Sequence, residues 1–384
     1  MKVAIVGAGA GGLAAAHDLS RAGCDITLFE ADEQVGGLAA GFRTPRWDWS
    51  VERYYHHWFA SDSDILGLIR ELGWSDRVLF PWPRTAVYHE GRFHTLDGPL
   101  SDLFPSLPFL DRVPGAGFLA RTFHVLRFRG LSPPEGFRAG LVGLSLVMRG
   151  DWRPLEGVTA HEWLSRRMGR RCYEVLWEPL LVSKFGAHYR DVNMAWFWAR
   201  VKARTPRLGT FVGGFQAFLE ALAAQVEAEG ATIRLRTRVE KIEPDPEGGL
   251  SLMVGGSQER FDQVLVTTSP ALLARLTPQL PQDYLGQLLR LKSMGAVVMV
   301  IALRERLSEQ GIYWHNLPKP AGFPFLALVE HTNFLPPERF GGDHIIYCGD
   351  YLDPDHEYFS LTLDQLLDRF LPALPRFNPR FTPD

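Results

Sequence analysis

Hydrophobic positions along this chain follow two rhythms, and the switches between them divide it. KVAIV at residues 2–6 is a continuous apolar run, which predicts a strand buried on both faces of a parallel sheet. GLAAAHDLSRAG follows and places Leu13, Ala16 and Leu19 on one side of a helix that stops at Gly23. DITLFE reads as a second strand, ending at Glu30. From residue 41 the periodicity lapses into GFRTPRWDWSVERYYHHWFA, an aromatic and polar stretch without alternation. Much later a helix starts at Phe215, with apolar residues at 218, 219, 222 and 226, and Gly230 ends it. TIRLRTRVEKI then alternates as strands do, DPEGG marks a hairpin turn, and LSLMV and FDQVLVTTSP continue the strands. VTAHEWLSRRMG opens on a capping box, Thr159 with Glu162. GAVVMVIAL and FPFLALVEH are strand-like runs of the last third.

The first strand and helix enclose Gly7, Gly9, Gly11 and Gly12, three of them in G-x-G-x-x-G spacing. The first glycine makes a tight turn, the second lets backbone approach a pyrophosphate, and the third lets helix pack on strand. The helix N-terminus adds unpaired N–H groups and a favourable dipole, worth about 0.3–2 kcal/mol toward a phosphate. Glu30, at the end of the second strand, can accept hydrogen bonds from ribose hydroxyls. Strand, glycine turn, helix and acid together predict a bound dinucleotide. A second glycine pair, Gly36-Gly37, completes an E-x5-G-G pattern. An NAD-type domain continues with further βα units, which this chain lacks after residue 41. A longer coenzyme that spans a second domain fits the glycine pair, so FAD is the expected cofactor.

With these residues in view, the chain resembles the flavin-dependent amine oxidase superfamily, which includes protoporphyrinogen oxidases and phytoene desaturases. Many members carry Arg after the glycine pair, whereas this chain has Leu38. The resemblance implies that GGFQAF and the strands after it form a second cofactor segment, with the Val239 backbone meeting the adenine. It also implies an α/β fold: a discontinuous Rossmann-like FAD-binding domain from residues 1–80 and 208–270, a helical insert at 81–207, and a mixed-sheet substrate domain at 271–384. WEPLLVSKFG, GGFQAF and EHTNF match segments of bacterial proteins resembling protoporphyrinogen oxidases. Superfamily members close the flavin site with a strand, Gly-Asp and a helix. Gly349-Asp350 is a weak match, because no small-residue helix start follows it, and the sequence is expected to stop before that closing segment.

Composition narrows the partners. The chain has 384 residues, 46% hydrophobic and 22% charged, with net charge −3. That suits a globular protein and argues against a nucleic-acid partner. Cys24, Cys172 and Cys348 form no CxxC pair, which suits a reducing, cytoplasmic setting. No metal-ligand constellation is visible. Between Arg112 and Arg171 lie eleven arginines, no lysine and four acidic residues, beside the apolar runs AGFLARTFHVLRF and AGLVGLSLVM. A helical subdomain with solvated arginines is the plain reading. A peripheral contact with the inner membrane face through residues 112–150 is the sharper one. The oligomeric state stays open.

The expected reaction is hydride removal from an apolar or amphipathic small molecule. His56 and His57, in ERYYHHWF, are candidates for a polar contact or proton carrier near the flavin. A packed aromatic loop is their structural alternative. Tyr313 and Trp314 are candidates for an apolar wall. Glu330, His331 and Asn333 form the strongest polar cluster of the last third, with a strand end and turn as the alternative. Amine oxidases of the superfamily carry a lysine on a strand resembling KSMGAVVMVIAL. Lys292 falls several positions early, which lowers amine oxidation as the reaction. Other functions compatible with the sequence are a flavin-dependent isomerase resembling UDP-galactopyranose mutase and a non-enzymatic flavin-binding surface protein. An NAD-linked dehydrogenase ranks below both.

Overall fold

The computed structural model describes every residue except Pro114, Arg129, Lys292 and Asp384. Lys292 therefore lies outside the described residues. The elements that position the candidate sites are, in chain order, β1 (Lys2–Val6), α1 (Ala10–Arg21), β2 (Asp25–Phe29), β3 (Arg84–His89), β4 (Arg92–Asp97), α2 (Ala116–Arg127), α3 (Pro133–Met148), α4 (Met194–Ala203) and α5 (Phe215–Ala228). They continue with β5 (Thr232–Arg234), β6 (Val239–Pro244), β7 (Leu250–Val254), β8 (Ser257–Phe261), β9 (Gln263–Val266), β10 (Gly295–Leu303), β11 (Ile312–Asn316), β12 (Ala327–Glu330) and β13 (His344–Leu352). The chain divides into two units: residues 1–56 with 210–293, and residues 57–209 with 294–384.

The first unit is built on a parallel sheet in the order β5-β2-β1-β9. β1 is central and its residues 3–6 are buried, as a continuous apolar run requires. α1 and α5 pack on one another. They bury Leu13 and Ala16 from one helix and Leu219, Leu222 and Val226 from the other. β6, β7 and β8 form a separate antiparallel sheet. Its residues Val239, Ile242, Leu252, Val254 and Phe261 pack with Ala4, Val6 and Phe29 of the parallel sheet. Helices Pro270–Leu276 and Gln282–Leu289 also belong to this unit, although they lie in the stretch expected to start the substrate domain. Leu276 shows why: it is buried in the same core as Val239.

The second unit carries a six-stranded mixed sheet in the order β10-β13-β12-β11-β3-β4. All its pairings are antiparallel except that of β11 with β3. Gly349-Asp350 sits inside β13, opposite Val298 and Val297 of β10. It is a sheet position, in keeping with the poor match to a closing segment. The β3–β4 hairpin falls within the span expected to be helical. Its turn, Glu90-Gly91, has positive φ at both residues (48° and 82°), a geometry that matches the right-handed twist of paired strands. The helices of that span do form a core of their own, with Leu146, Leu155, Ala160, Leu164, Tyr173 and Phe197 buried together. No helix among the described residues is long and apolar enough to cross a membrane.

Candidate functional site

The glycine turn of the first unit is fixed from three sides. Gly7 donates its N–H to the Phe29 carbonyl at 2.8 Å. Thr267, just past β9, donates its hydroxyl to the Gly7 and Val6 carbonyls at 3.0 and 3.1 Å. Gly12 lies so close under the turn that a Cβ there would sit 2.0 Å from the Gly7 oxygen. Only glycine permits that approach. Gly9 caps α1 without any side-chain hydrogen bond, which leaves the first-turn amides open, Gly11 among them on the exposed face. Such a terminus attracts anionic groups.

Glu30 stands beside the turn. One carboxylate oxygen accepts the Ala8 N–H at 2.8 Å and the other accepts the Asp32 N–H at 2.9 Å. Lone pairs remain on both for hydroxyl donors. The segment beyond is pulled against the turn: Gly36 donates its N–H to the Ala8 carbonyl at 2.9 Å and bridges to Gly9, with Gly37 following. Leu38 is 79% exposed on the short turn after them and makes no packing contribution.

The start of α5 is fastened to that loop and to the segment after it. Gln216 accepts the Gly41 N–H at 3.0 Å and donates to the Val35 carbonyl at 3.3 Å. Glu52, 2% exposed, accepts the Phe215 N–H at 3.0 Å, placing a carboxylate at the positive end of α5. Ser50 donates to the Gly213 carbonyl at 2.8 Å. A Cβ on Gly214, whose φ is +88°, would lie 2.4 Å from the Ser50 oxygen. The signal for Glu52 was its company: an acid within an aromatic run is buried only where it meets donors.

Val239 is buried at the start of β6, within the core that includes Ala4, Val6 and Phe29. It pairs with Val254, and a bulge follows it. Just before it, Thr237 donates its N–H to the Glu30 carbonyl at 2.7 Å and Arg236 to the Asp32 carbonyl at 2.8 Å. Backbone and carboxylate hydrogen bonds thus link the Gly7–Gly12 turn, Glu30 and Gly36, and Val239 is buried in the core that includes Val6 and Phe29.

The catalytic candidates separate. His56 belongs to the first unit and His57 to the second. His56 bonds through Nδ1 to the Tyr54 carbonyl at 2.5 Å and lies 5.9 Å, ring to ring, from Phe215. Burial holds it below the ordinary imidazole range. His57 and Trp314 do come together in the second unit, edge to face at 6.4 Å and 88°, with Phe59 at 5.4 Å from the histidine. Trp314 is half-buried and donates its indole N–H to Asn316 at 2.9 Å. Tyr313 faces Phe334 at 5.0 Å and is fully buried.

Glu330 and His331 sit elsewhere in the chemistry. Glu330 is completely buried, and its two oxygens accept the N–H groups of Leu307 and Ser308 at 2.8 and 2.9 Å. That anchors the loop after β10 and leaves no face toward solvent. Burial pushes its carboxyl up to about 7. His331 is enclosed by Phe334, Phe340 and Tyr347, and burial lowers it to about 4. Asn333 donates to the Ile312 carbonyl at 2.9 Å. The cluster fastens strand ends, the structural alternative raised for it. Among the described residues no group of three or more His, Cys, Asp or Glu could hold a metal ion.

Residues 10–384 match the family model for flavin containing amine oxidoreductases, and the chain belongs to that family. The family is flavin-containing, and the cradle around Gly7–Gly12 and Glu30 fits FAD. The chain is 26% identical over 308 residues to the carotenoid phi-ring synthase of Streptomyces griseus, covering 76% of this chain and 57% of that one. It is 21% identical over 301 residues to the coproporphyrinogen III oxidase of Staphylococcus aureus, covering 69% and 60%. The chain spans only about half the length of the curated carotenoid relatives it matches, 57%, 54% and 48% for three of them. Among solved structures, an oxidoreductase from Methanosarcina mazei superposes with a TM-score of 0.72 at 18% identity, over 99% of this chain and 85% of that one. A reduced UDP-galactopyranose mutase superposes at 0.70 with 13% identity, over 100% and 80%. These likenesses establish the fold.

Proposed function

We propose that this chain is an FAD-dependent oxidoreductase that removes hydride from an apolar or amphipathic small molecule, in the manner of protoporphyrinogen oxidases. The observation that carries it is the convergence of three remote pieces on one turn: Glu30 and Thr267 both bond to the Gly7–Ala8 backbone, and β5 and β9 flank β2 and β1. FAD, when bound, supplies the two-electron acceptor.

The chain's own residues bind and orient. The first-turn amides of α1 would hold the pyrophosphate and Glu30 the ribose hydroxyls, while Gln216 in the first turn of α5 fixes the Gly36-Gly37 loop through Val35 and Gly41. In the second unit, Trp314, His57 and Phe59 give an aromatic wall suited to a flat or polyene substrate. His56 donates its Nδ1–H to the Tyr54 carbonyl, which leaves Nε2 to contact the substrate, while burial lowers its basicity. Relatives named as 15-cis-phytoene desaturases, such as that of Solanum lycopersicum, and as a coproporphyrinogen III oxidase support the same two substrate classes.

The test is spectroscopic. Purified protein should be yellow and release FAD on denaturation, and a polyene or a porphyrinogen should bleach it anaerobically. A colourless protein that cannot be reconstituted with FAD overturns the reading. Turnover of a nucleotide sugar only after flavin reduction would replace it with an isomerase.

A further inference from the structure

Half of the exposed large hydrophobic side chains among the described residues fall between Leu107 and Trp152. Phe109 is 59% exposed, Phe137 62% and Met148 75%. Singly scattered apolar side chains are ordinary on a protein surface, whereas a concentration marks a contact. Apart from Trp152 these residues sit on or beside α2, α3 and the turn before α2, and α2 packs against both of the others.

A cavity of about 270 Å³ opens within this region. Val113 and Val147, both exposed, belong to its lining. Arg121, Lys202, Arg204 and Arg207 line it too, against a single lining carboxylate, Asp111. Asp111 is taken up by Ser101, through its N–H at 3.0 Å and its hydroxyl at 2.6 Å. Asp97 lies beneath, 2.7 Å from Arg121 Nε and 3.9 Å from Arg204 Nε. Four cations thus face two carboxylates, a surplus of two positive charges. Lys202 is held by the Val147 and Arg149 carbonyls at the end of α3, and Arg207 by the Phe80 carbonyl. One guanidinium nitrogen of Arg121, Nη2, is buried with no hydrogen-bond partner. A buried donor of that kind is costly unless an acceptor reaches it.

We propose that this cavity binds the headgroup of an anionic phospholipid at a bilayer surface, while exposed apolar side chains of the same helical region enter the lipid interface. At about 270 Å³ the cavity falls just below the range of pockets that hold drug-sized ligands, about 300–1,000 Å³, which suits a compact phosphate-bearing headgroup. Arginine suits phosphate through its planar set of donors. A helix lying in a membrane interface buries apolar side chains among the acyl chains and keeps basic residues on its polar side for the headgroups. The inference stands apart from the flavin reading.

Holoprotein is sedimented with vesicles of phosphatidylcholine alone and of phosphatidylcholine doped with phosphatidylglycerol. Binding is expected to be about tenfold or more stronger to the anionic vesicles. Arg204→Gln with Arg207→Gln should remove that preference, and Phe109→Ser with Phe137→Ser should weaken binding to both vesicle types. Each variant should keep its circular dichroism spectrum; a pair of substitutions that unfolds the chain is replaced by its single substitutions. Absence of vesicle binding overturns the proposal, as does equal binding to both vesicle types. Inhibition by millimolar inorganic phosphate, with no loss on serine substitution, assigns the cavity to a free anion and overturns it as well.

Discussion

Ala8 donates its backbone N–H to the Glu30 carboxylate at 2.8 Å, so the acid expected to meet a ribose also ties β2 to the turn after β1. The same carboxylate serves shape and chemistry. Glu30→Gln keeps one acceptor oxygen and turns an amide donor toward the other N–H. FAD affinity should fall roughly 10- to 100-fold, with a stability loss of about 1–3 kcal/mol. Titration of apoprotein with FAD, followed by its fluorescence quenching, checks the first figure, and urea unfolding checks the second.

Gly12→Ala presses a methyl group onto the Gly7 oxygen. The turn must shift or α1 must move away from β1, at about 1–3 kcal/mol for overpacking. The purified variant should carry little flavin, read as the ratio of visible to ultraviolet absorbance. Gly11→Ala, where a Cβ meets no atom within 4 Å, should remain yellow.

Stability should depend on pH in two opposed ways. Glu330 titrates at about 7 in the fold against an ordinary 4.5, because burial outweighs its two N–H donors. Its proton stabilises the fold fully below pH 4.5, and that contribution, on the order of 3 kcal/mol, is lost as pH rises through 7. His331 at about 4 and His315 at about 3 are both lowered from 6.5 by burial. Their contribution is complete above pH 6.5 and is lost as pH falls toward 4 and below. Urea midpoints across this range should show Glu330→Gln flattening the loss between pH 4.5 and 7. His331→Phe should soften the acid limb.

Trp314→Ala removes the partner of His57 while leaving the first unit's cradle untouched. Flavin content should stay normal. Anaerobic flavin reduction by a substrate should slow by at least about tenfold at fixed concentration, chiefly through weaker binding. Trp314→Phe should restore most of the rate.

Strand, turn and helix at the N-terminus were legible because each obeys a local rule: a buried strand is apolar throughout, and Gly12 answers a contact five residues away. The place of Val239 was legible only by resemblance, since its packing against Ala4 and Phe29 joins residues far apart in the chain. The β3–β4 hairpin went unread inside a helix-rich span, although Glu90-Gly91 between alternating segments is a hairpin signal. Glu330 illustrates a deeper limit. Its donors, Leu307 and Ser308, belong to a loop on the other side of β11, and no periodicity announces a backbone N–H that needs an acceptor. Gln216 was hidden for the same reason.

The order β5-β2-β1-β9 has a consequence for biosynthesis. β1 ends at Val6, whereas its second neighbour runs from Gln263 to Val266, so a long stretch of chain is made between the two partners. A nascent chain cut short before that point would present β1 with an open edge and Gly7 without the Thr267 hydroxyl, so the glycine turn is completed only when β9 docks.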